Sequence, residues 1–318
     1  MRSPILFKNL YFYQLTQPAA GYIDALKHNA DDHAFEPCGP VDSRSIGFAP
    51  LYPEILDDCV ASLGELTFFA IRVQEKKIPP QALRELVSAK VAEIEKKEQR
   101  KIYRKERKLI ELDIIAITLP KMPPASRITM GYIDPLNDIV AIAVSSASKA
   151  EEALGFLRHA CGSFPVKPIS PTGNPSLIMS GWLKDSTFVP AGVALSDEAK
   201  LRQLSDKSEA ITLKNTQLET DAVENMIESG MVVERLRCFY RQIEFTVTDD
   251  CARLLRINWP DRDPQTVDEM ELLQVIESDA FILCEEMRSI LVMVGAAFGG
   301  WIKQSNLELD QAQSSTAQ

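Results

Sequence analysis

The sequence predicts an α+β protein, and three observations carry that prediction. Strand-like and helix-like runs follow one another without the regular β-α-β rhythm of a doubly wound sheet. Two hairpins can be read directly. Apolar runs over 128–144 flank Asp134-Pro135-Leu136-Asn137-Asp138, and a second pair over 238–259 turns at Asp249-Asp250. Finally, 81–118 contains neither Gly nor Pro and is built from residues that helices tolerate or favour. The chain has 318 residues, 45% hydrophobic and 25% charged, which is ordinary for a globular protein and long enough for a sizeable core.

In chain order, the aromatic and apolar run at 6–15 predicts a strand and 19–30 a short helix. Strands follow at 47–51 and 66–73. Pro79-Pro80 marks a helix start. The stretch 81–118 is then one helix of nearly forty residues, or two with a bend, closed by Leu119-Pro120. A single helix of that length would span roughly 55 Å, so an arm or a helical hairpin is expected. After the first hairpin, Ser148 precedes Glu151 by three, the spacing of a capping box, and that helix ends near Gly162. Residues 165–175 read as a connector, and 194–229 as mostly polar and helical with a loop around 211–214. Beyond the second hairpin come a helix near 267–276, a strand at 281–283 and a last helix at 285–298, which Gly299-Gly300 terminates. The polar tail after about 303 is expected to be disordered. The resulting division is a central α+β domain from 1–75 and 122–185, a helical arm at 76–121, and a second α+β region at 186–318.

Several chemistries find no support. No P-loop, dinucleotide-binding glycine motif, H-E-x-x-H or G-x-S-x-G is present. His28, His33 and His159 are the three histidines; His28 and Asp32 have helix-face spacing, but solvated polar residues explain them better than a metal. Asp249-Asp250 at a hairpin tip is a turn before it is a nuclease's acid pair. The reading is therefore a protein that is not an enzyme and needs no metal or cofactor. Six cysteines are scattered without C-x-x-C spacing, which fits a reducing compartment. The longest apolar run, 290–298, is about half of a membrane span, so a cytoplasmic protein is expected with no membrane partner.

Charge is where the sequence speaks most clearly. The whole chain carries −10, yet 95–108, EKKEQRKIYRKERK, holds eight Lys or Arg against three Glu. Placed on one continuous helix at about 100° per residue, Lys96, Lys97, Arg100, Lys101, Arg104, Lys105, Arg107 and Lys108 share one half of the cylinder. Glu95, Glu98 and Glu106 share the other half. A merely solvated helix favours mixed signs at i,i+4, because like charges there repel. Segregation points to an anionic partner, of which a phosphate backbone is the commonest. Lys76, Lys77, Lys121, Arg127 and Lys214 add basic residues at element ends and loops. Arg235, Arg237 and Arg241 share strand parity, but nearby acids such as Glu234 and Glu244 are expected to pair with them. No helix-turn-helix, zinc finger or aromatic single-strand platform offers base readout, so contact to the backbone without sequence choice is expected.

Several stretches stand out in order: LFKNLYFYQL at 6–15, FEPCG at 35–39, EKKIPP at 75–80, the charged helical region ending in LPK at 119–121, the YID hairpin, SKAEEAL at 148–154 and GSFPV at 162–166. IESGMVVERL at 227–236, the IEF strand with Asp249-Asp250, and FGG at 298–300 continue the series to about residue 300. In their order and spacing these stretches resemble the recombination-associated protein RdgC family. The resemblance implies an elongated, horseshoe-like subunit with a long charged arm. Two such subunits would form a closed homodimeric ring with a positive central hole for duplex DNA. It implies a nucleoid-associated protein that binds mainly double-stranded DNA without sequence preference and restrains RecA-mediated recombination through shared DNA. The family's basic helix positions fall on Arg100 and its neighbours, and its basic loop near Lys214, where this chain reads LKNTQ with a single Lys. Relatives carry a functional aromatic in the loop after Leu119-Pro120-Lys121; Met122-Pro123-Pro124 stands there in this chain, so that role does not carry over. The competing reading is an interaction scaffold whose basic face meets an acidic protein.

Overall fold

The computed structural model describes residues 5–53, 55–205, 209–260 and 269–302. The first strand, β1 (Leu10–Leu15), is LYFYQL. Its aromatic and apolar side chains are buried on both faces because it sits in the middle of a large sheet. Helix α1 (Ala19–Asn29), β2 (Arg44–Phe48), β3 (Val60–Leu63) and β4 (Leu66–Glu75) follow. Then come α2 (Pro80–Glu98) and α3 (Arg104–Thr118), a short 3-10 turn at Leu119–Lys121, and the hairpin of β5 (Ala125–Asp134) and β6 (Ile139–Ile142). Next are α4 (Ala147–Cys161), β7 (Val166–Pro168) and α5 (Pro175–Lys184). The second half contributes β8 (Val193–Gln203), β9 (Ala210–Leu213), α6 (Asp221–Glu228), β10 (Met231–Tyr240), β11 (Ile243–Thr248), β12 (Arg253–Asn258) and α7 (Glu269–Ala297).

The strands join in one open sheet of order β2-β4-β5-β6-β1-β12-β11-β10-β8-β9, with β3 also on β4 and β7 also on β1. Every pairing between these strands is antiparallel. The two halves meet where β1 pairs β12, Leu10 opposite Leu254. Helices α1 and α4 pack together over the first half, and α5 and α6 over β10. Helix α7 spans both halves. Its Arg288 bonds Asp134 at the end of β5 and Glu65, while Glu286 accepts from Arg241 beyond β10. Its apolar face, Leu283, Met287, Ile290 and Val294, is buried in the common core, as is Phe298 just past its end. Among the described residues no helix is long and apolar enough to cross a membrane.

The α+β class, both hairpins, α1, β4, α4 and the stop at Gly299-Gly300 agree with the sequence reading. Several expectations need correction. Residues 194–229 were expected to be mostly helical, yet β8 and β9 occupy most of the first part and only α6 is helical. The run LSDEAKLRQ has helix-forming composition, but β8 pairs along its length with β10 and buries Ala199 and Leu201, and that packing overrides propensity. The expected strand at 281–283 lies within α7, where Phe281, Ile282 and Leu283 continue a helical pattern of burial. Helix α4 begins after Ser146 with no side-chain cap, so the Ser148–Glu151 capping box is not formed. The tail after 303 and the start of the helix near 267–276 lie outside the described residues.

Candidate nucleic-acid interface

The arm is a hairpin of two helices. Its start follows from Pro80 at the first helical position, where a missing N–H costs nothing. Its break falls inside the charged run. Gln99 takes a left-handed conformation at φ 55, and α3 opens only at Arg104. Side chains close the turn. Glu95 Oε1 accepts the Ile102 backbone N–H at 2.8 Å, and Gln99 Nε2 donates to the Lys96 carbonyl at 3.1 Å. The Arg100 guanidinium bridges Glu98 and Glu106, holding the Glu106 carboxyl below its ordinary range. Val87 and Ile110 form a thin seam between α2 and α3 that is separate from the main core.

The eight cations therefore do not share one face of one continuous helix, as the angular reading assumed. They cluster instead around the tip of a hairpin, on the last turns of α2, the connecting loop and the first turns of α3. Lys96, Lys97, Arg100, Lys101, Arg104, Lys105, Arg107 and Lys108 are all exposed. Among the described residues, ion pairs within α2, α3 and their connection are confined to Lys90–Glu93 and to Arg100 with its two glutamates. Arg107 reaches across to Ser88 Oγ at 3.5 Å. Seven of the eight thus form no ion pair among the described residues and lie within one compact region. Tyr103, 78% exposed, stands in their midst.

The remaining predicted residues divide. Lys121 and Lys214 are exposed, the first at the foot of the arm and the second just beyond β9. Lys77 is exposed but pairs with Glu75. Arg127 is held by Glu152 and Glu75, so its charge is spent inside the protein. Lys76 corrects the reading outright. It is buried, and its ammonium donates to the Gly39 and Pro40 carbonyls at 2.5 and 3.4 Å, so it is not a free surface cation. Arg235 and Arg237 pair with Glu234 and Glu244, as expected. What the linear sequence did not reveal is that Lys200, Arg235 and Arg256, from three different strands, converge beside Lys214. Strand parity predicts part of this, since Lys200 sits opposite Arg235, but the pairing partner of β10 must be known first.

His33 and His159 stack with ring centroids 5.2 Å apart. Among the described residues no group of three or more His, Cys, Asp or Glu is placed to hold a metal ion.

A family described as "Putative exonuclease, RdgC" matches residues 5–301. The chain belongs to the RdgC family. The RdgC-family relatives agree over almost their full lengths. A recombination-associated protein RdgC of Psychromonas ingrahamii is 28% identical over 300 residues, covering 93% of this chain and 99% of the relative. The protein of that name from a Shewanella species is 29% identical over 297 residues, 92% of this chain and 97% of the relative. That of Yersinia enterocolitica is 25% identical over 297 residues, 92% and 98%. RdgC-family membership makes this a recombination-associated protein and supports the resemblance read from 6–15 through 298–300.

Proposed function

We propose that this chain binds DNA, mainly duplex and without sequence preference, pairs with a second copy into a ring around it, and so restrains RecA-mediated recombination. The observation that carries the reading is the arm tip, where seven exposed cations form no ion pair with a carboxylate among the described residues. Keeping like charges that close together is unfavourable unless an anion is bound, and a phosphate backbone repays it by releasing counterions. The acidic remainder of the chain limits adhesion elsewhere, so binding is local to such patches. The relatives' names, recombination-associated protein, suit a DNA ligand. Pairing is supported by Leu86, Leu109, Leu112 and Ile117, large apolar residues exposed on the arm's helices away from its own seam. DNA contact is assigned to Lys96, Lys97, Arg100, Lys101, Arg104, Lys105, Arg107 and Lys108, with Lys77 and Lys121 at the foot of the arm and Lys214 separately on the second half of the sheet; Lys76 and Arg127 are engaged within the protein.

The test is duplex binding over a salt series, with one labelled sequence and its scrambled version. Equal affinities are expected, with a log–log salt slope on the order of −4 or steeper. Changing Arg100, Lys101, Arg104 and Lys108 together to Glu should collapse that slope. A shallow slope, or an unchanged variant, would leave the arm to an acidic protein partner. The same duplex incubated with magnesium ions should stay full length; shortening would instead support the activity named in the family description.

A further inference from the structure

A second group of cations lies on the sheet, far from the arm. Along β8, Ala199 and Leu201 point into the core, so Glu198, Lys200 and Arg202 point outward. Lys200 is opposite Thr212 of β9 on one side and Arg235 of β10 on the other. Arg235 and Arg237 face outward while Leu236 and Cys238 are buried. The outer face of this half-sheet is therefore charged across several strands, and a pocket of about 310 Å³ opens in it, lined by Glu198, Lys200, Thr212, Lys214, Arg235 and Arg256.

Arg256 reaches that pocket through an unusual backbone. The β11–β12 ladder is irregular between Glu244 and Thr246, and Arg256 sits at φ 51, a left-handed conformation that costs a non-glycine residue about 1 kcal/mol or more. Its N–H is satisfied by Asn9 Oδ1 at 3.0 Å. Its guanidinium crosses the face, donating to Thr246 Oγ1 at 3.3 Å and Glu198 Oε2 at 2.6 Å. Lys200 and Arg235 share Glu234, at 2.8 and 3.3 Å. No carboxylate among the described residues lies within ion-pair distance of Lys214. Four cations and one carboxylate line the pocket, and that carboxylate stands where an incoming anion would.

We propose that this pocket binds one phosphate of a nucleic-acid backbone, held by Lys200, Lys214, Arg235 and Arg256, with Glu198 as the built-in competitor that the phosphate displaces. The proposal deepens the DNA-binding reading and rests on it. The arm springs from β4 and β5, and five strand intervals separate β5 from β10, roughly 24 Å at the usual spacing. The pocket therefore serves a phosphate distinct from those at the arm tip. Glu198 is ionised at neutral pH, because the Arg256 hydrogen bond, with further help from Lys214 and Arg237, holds its carboxyl below the ordinary range.

A competing carboxylate makes a prediction that misfolding cannot imitate. Glu198→Gln should tighten duplex binding about three- to tenfold, whereas Asp24→Asn, an equal charge change on exposed α1, should not. Lys214→Gln with Arg235→Gln, at an exposed and a half-buried position, should lower the salt slope by about one to two, with an unchanged thermal midpoint confirming the fold. The arm variant separates the two readings. If it loses slope while the pocket variants behave as wild type and as Asp24→Asn, the pocket holds no phosphate and DNA binding at the arm stands. If wild type itself shows no salt-dependent duplex binding, both fail together. Inorganic tripolyphosphate distinguishes the source. Stabilisation by it that the pocket variant loses, with an unchanged duplex slope, would make this a free oligophosphate site and overturn the assignment.

Discussion

At the scale of single residues, the molecule depends on a few charge pairs that sequence distance hides. Asp134 and Arg288 are 154 positions apart, yet the Arg288 fork meets both Asp134 oxygens at 2.7 and 2.9 Å and also reaches Glu65. Burial alone would push the Asp134 carboxyl up. The hydrogen bonds from Arg288 and Asn137, with the Leu136 N–H, more than offset it and hold the group below its ordinary value. Removing one partner strands the other, so Arg288→Ala should destabilise the fold by about 3 kcal/mol in urea titrations. The pH dependence has a definite sign. Because the folded Asp134 has the lowered value, its stabilisation is complete above the unfolded aspartate range and fades as pH falls through the folded one. The gap between wild type and Arg288→Ala should be widest at neutral pH and narrow below about pH 4. A gap independent of pH would mean the pair adds packing and no charge. Lys76 teaches the converse lesson. As a lysine beside Lys77 and a Pro pair it looked like a surface cation, but the β4 exit path buries it among backbone carbonyls.

At the scale of elements, legibility tracks whether a segment's own chemistry decides its structure. The 128–144 hairpin was readable because turn residues sit between two apolar runs, and Asp134 does cap its own turn through the Leu136 N–H. The arm was readable as helix because nothing in 81–118 breaks one. Its reversal was not, because Gln99 occupies a left-handed site where Gly is the usual signal. Side-chain bonds from Glu95, Arg100 and Gln99 itself supply what composition does not announce. Gln99→Gly should relieve that backbone by about 1 kcal/mol, read as slower amide exchange in α2 and α3 with the rest of the chain unchanged. Gln99→Val should accelerate exchange in the same helices. Equal rates in all three proteins would mean the turn stores no strain. The same logic explains β8. Nothing local distinguishes VALSDEAKLRQ from an amphipathic helix; its partner β10 decides, and that partner lies on the far side of α6. The candidate interface inherits this split, with the arm cations legible as a run and the Lys200–Arg235–Arg256 cluster legible only after strand order is known.

At the scale of the whole molecule, the arm raises a question of stability that the proposed second copy would answer. Two helices can bury only the seam between them, and here that seam buries just Val87 and Ile110 among the described residues. Leu86, Leu109, Leu112 and Ile117 stay in water, each forgoing part of the roughly 1.5–3 kcal/mol that full burial of such a side chain brings. Leu109 and Leu112 are three apart on α3, on one face, so they form a patch and not scattered singles. An acidic partner protein would be drawn to the cationic tip, whereas this patch is apolar and lies further along the helix, which suits the arm of an identical chain. Leu109→Glu with Leu112→Glu should therefore convert a dimer to a monomer in sedimentation equilibrium without moving the thermal unfolding of the main core, since neither side chain touches it. A ring that depends on this contact should also lose its hold on closed circular DNA at a salt concentration where wild type is retained, while both proteins slide off linear DNA alike. If the variant remains dimeric and keeps that topological hold, the subunits join elsewhere and the exposed leucines belong to another partner. If it becomes monomeric yet still shows the wild-type salt slope on short duplexes, phosphate contact and ring closure are separable functions of one arm: charge at its tip, apolar surface along its flank.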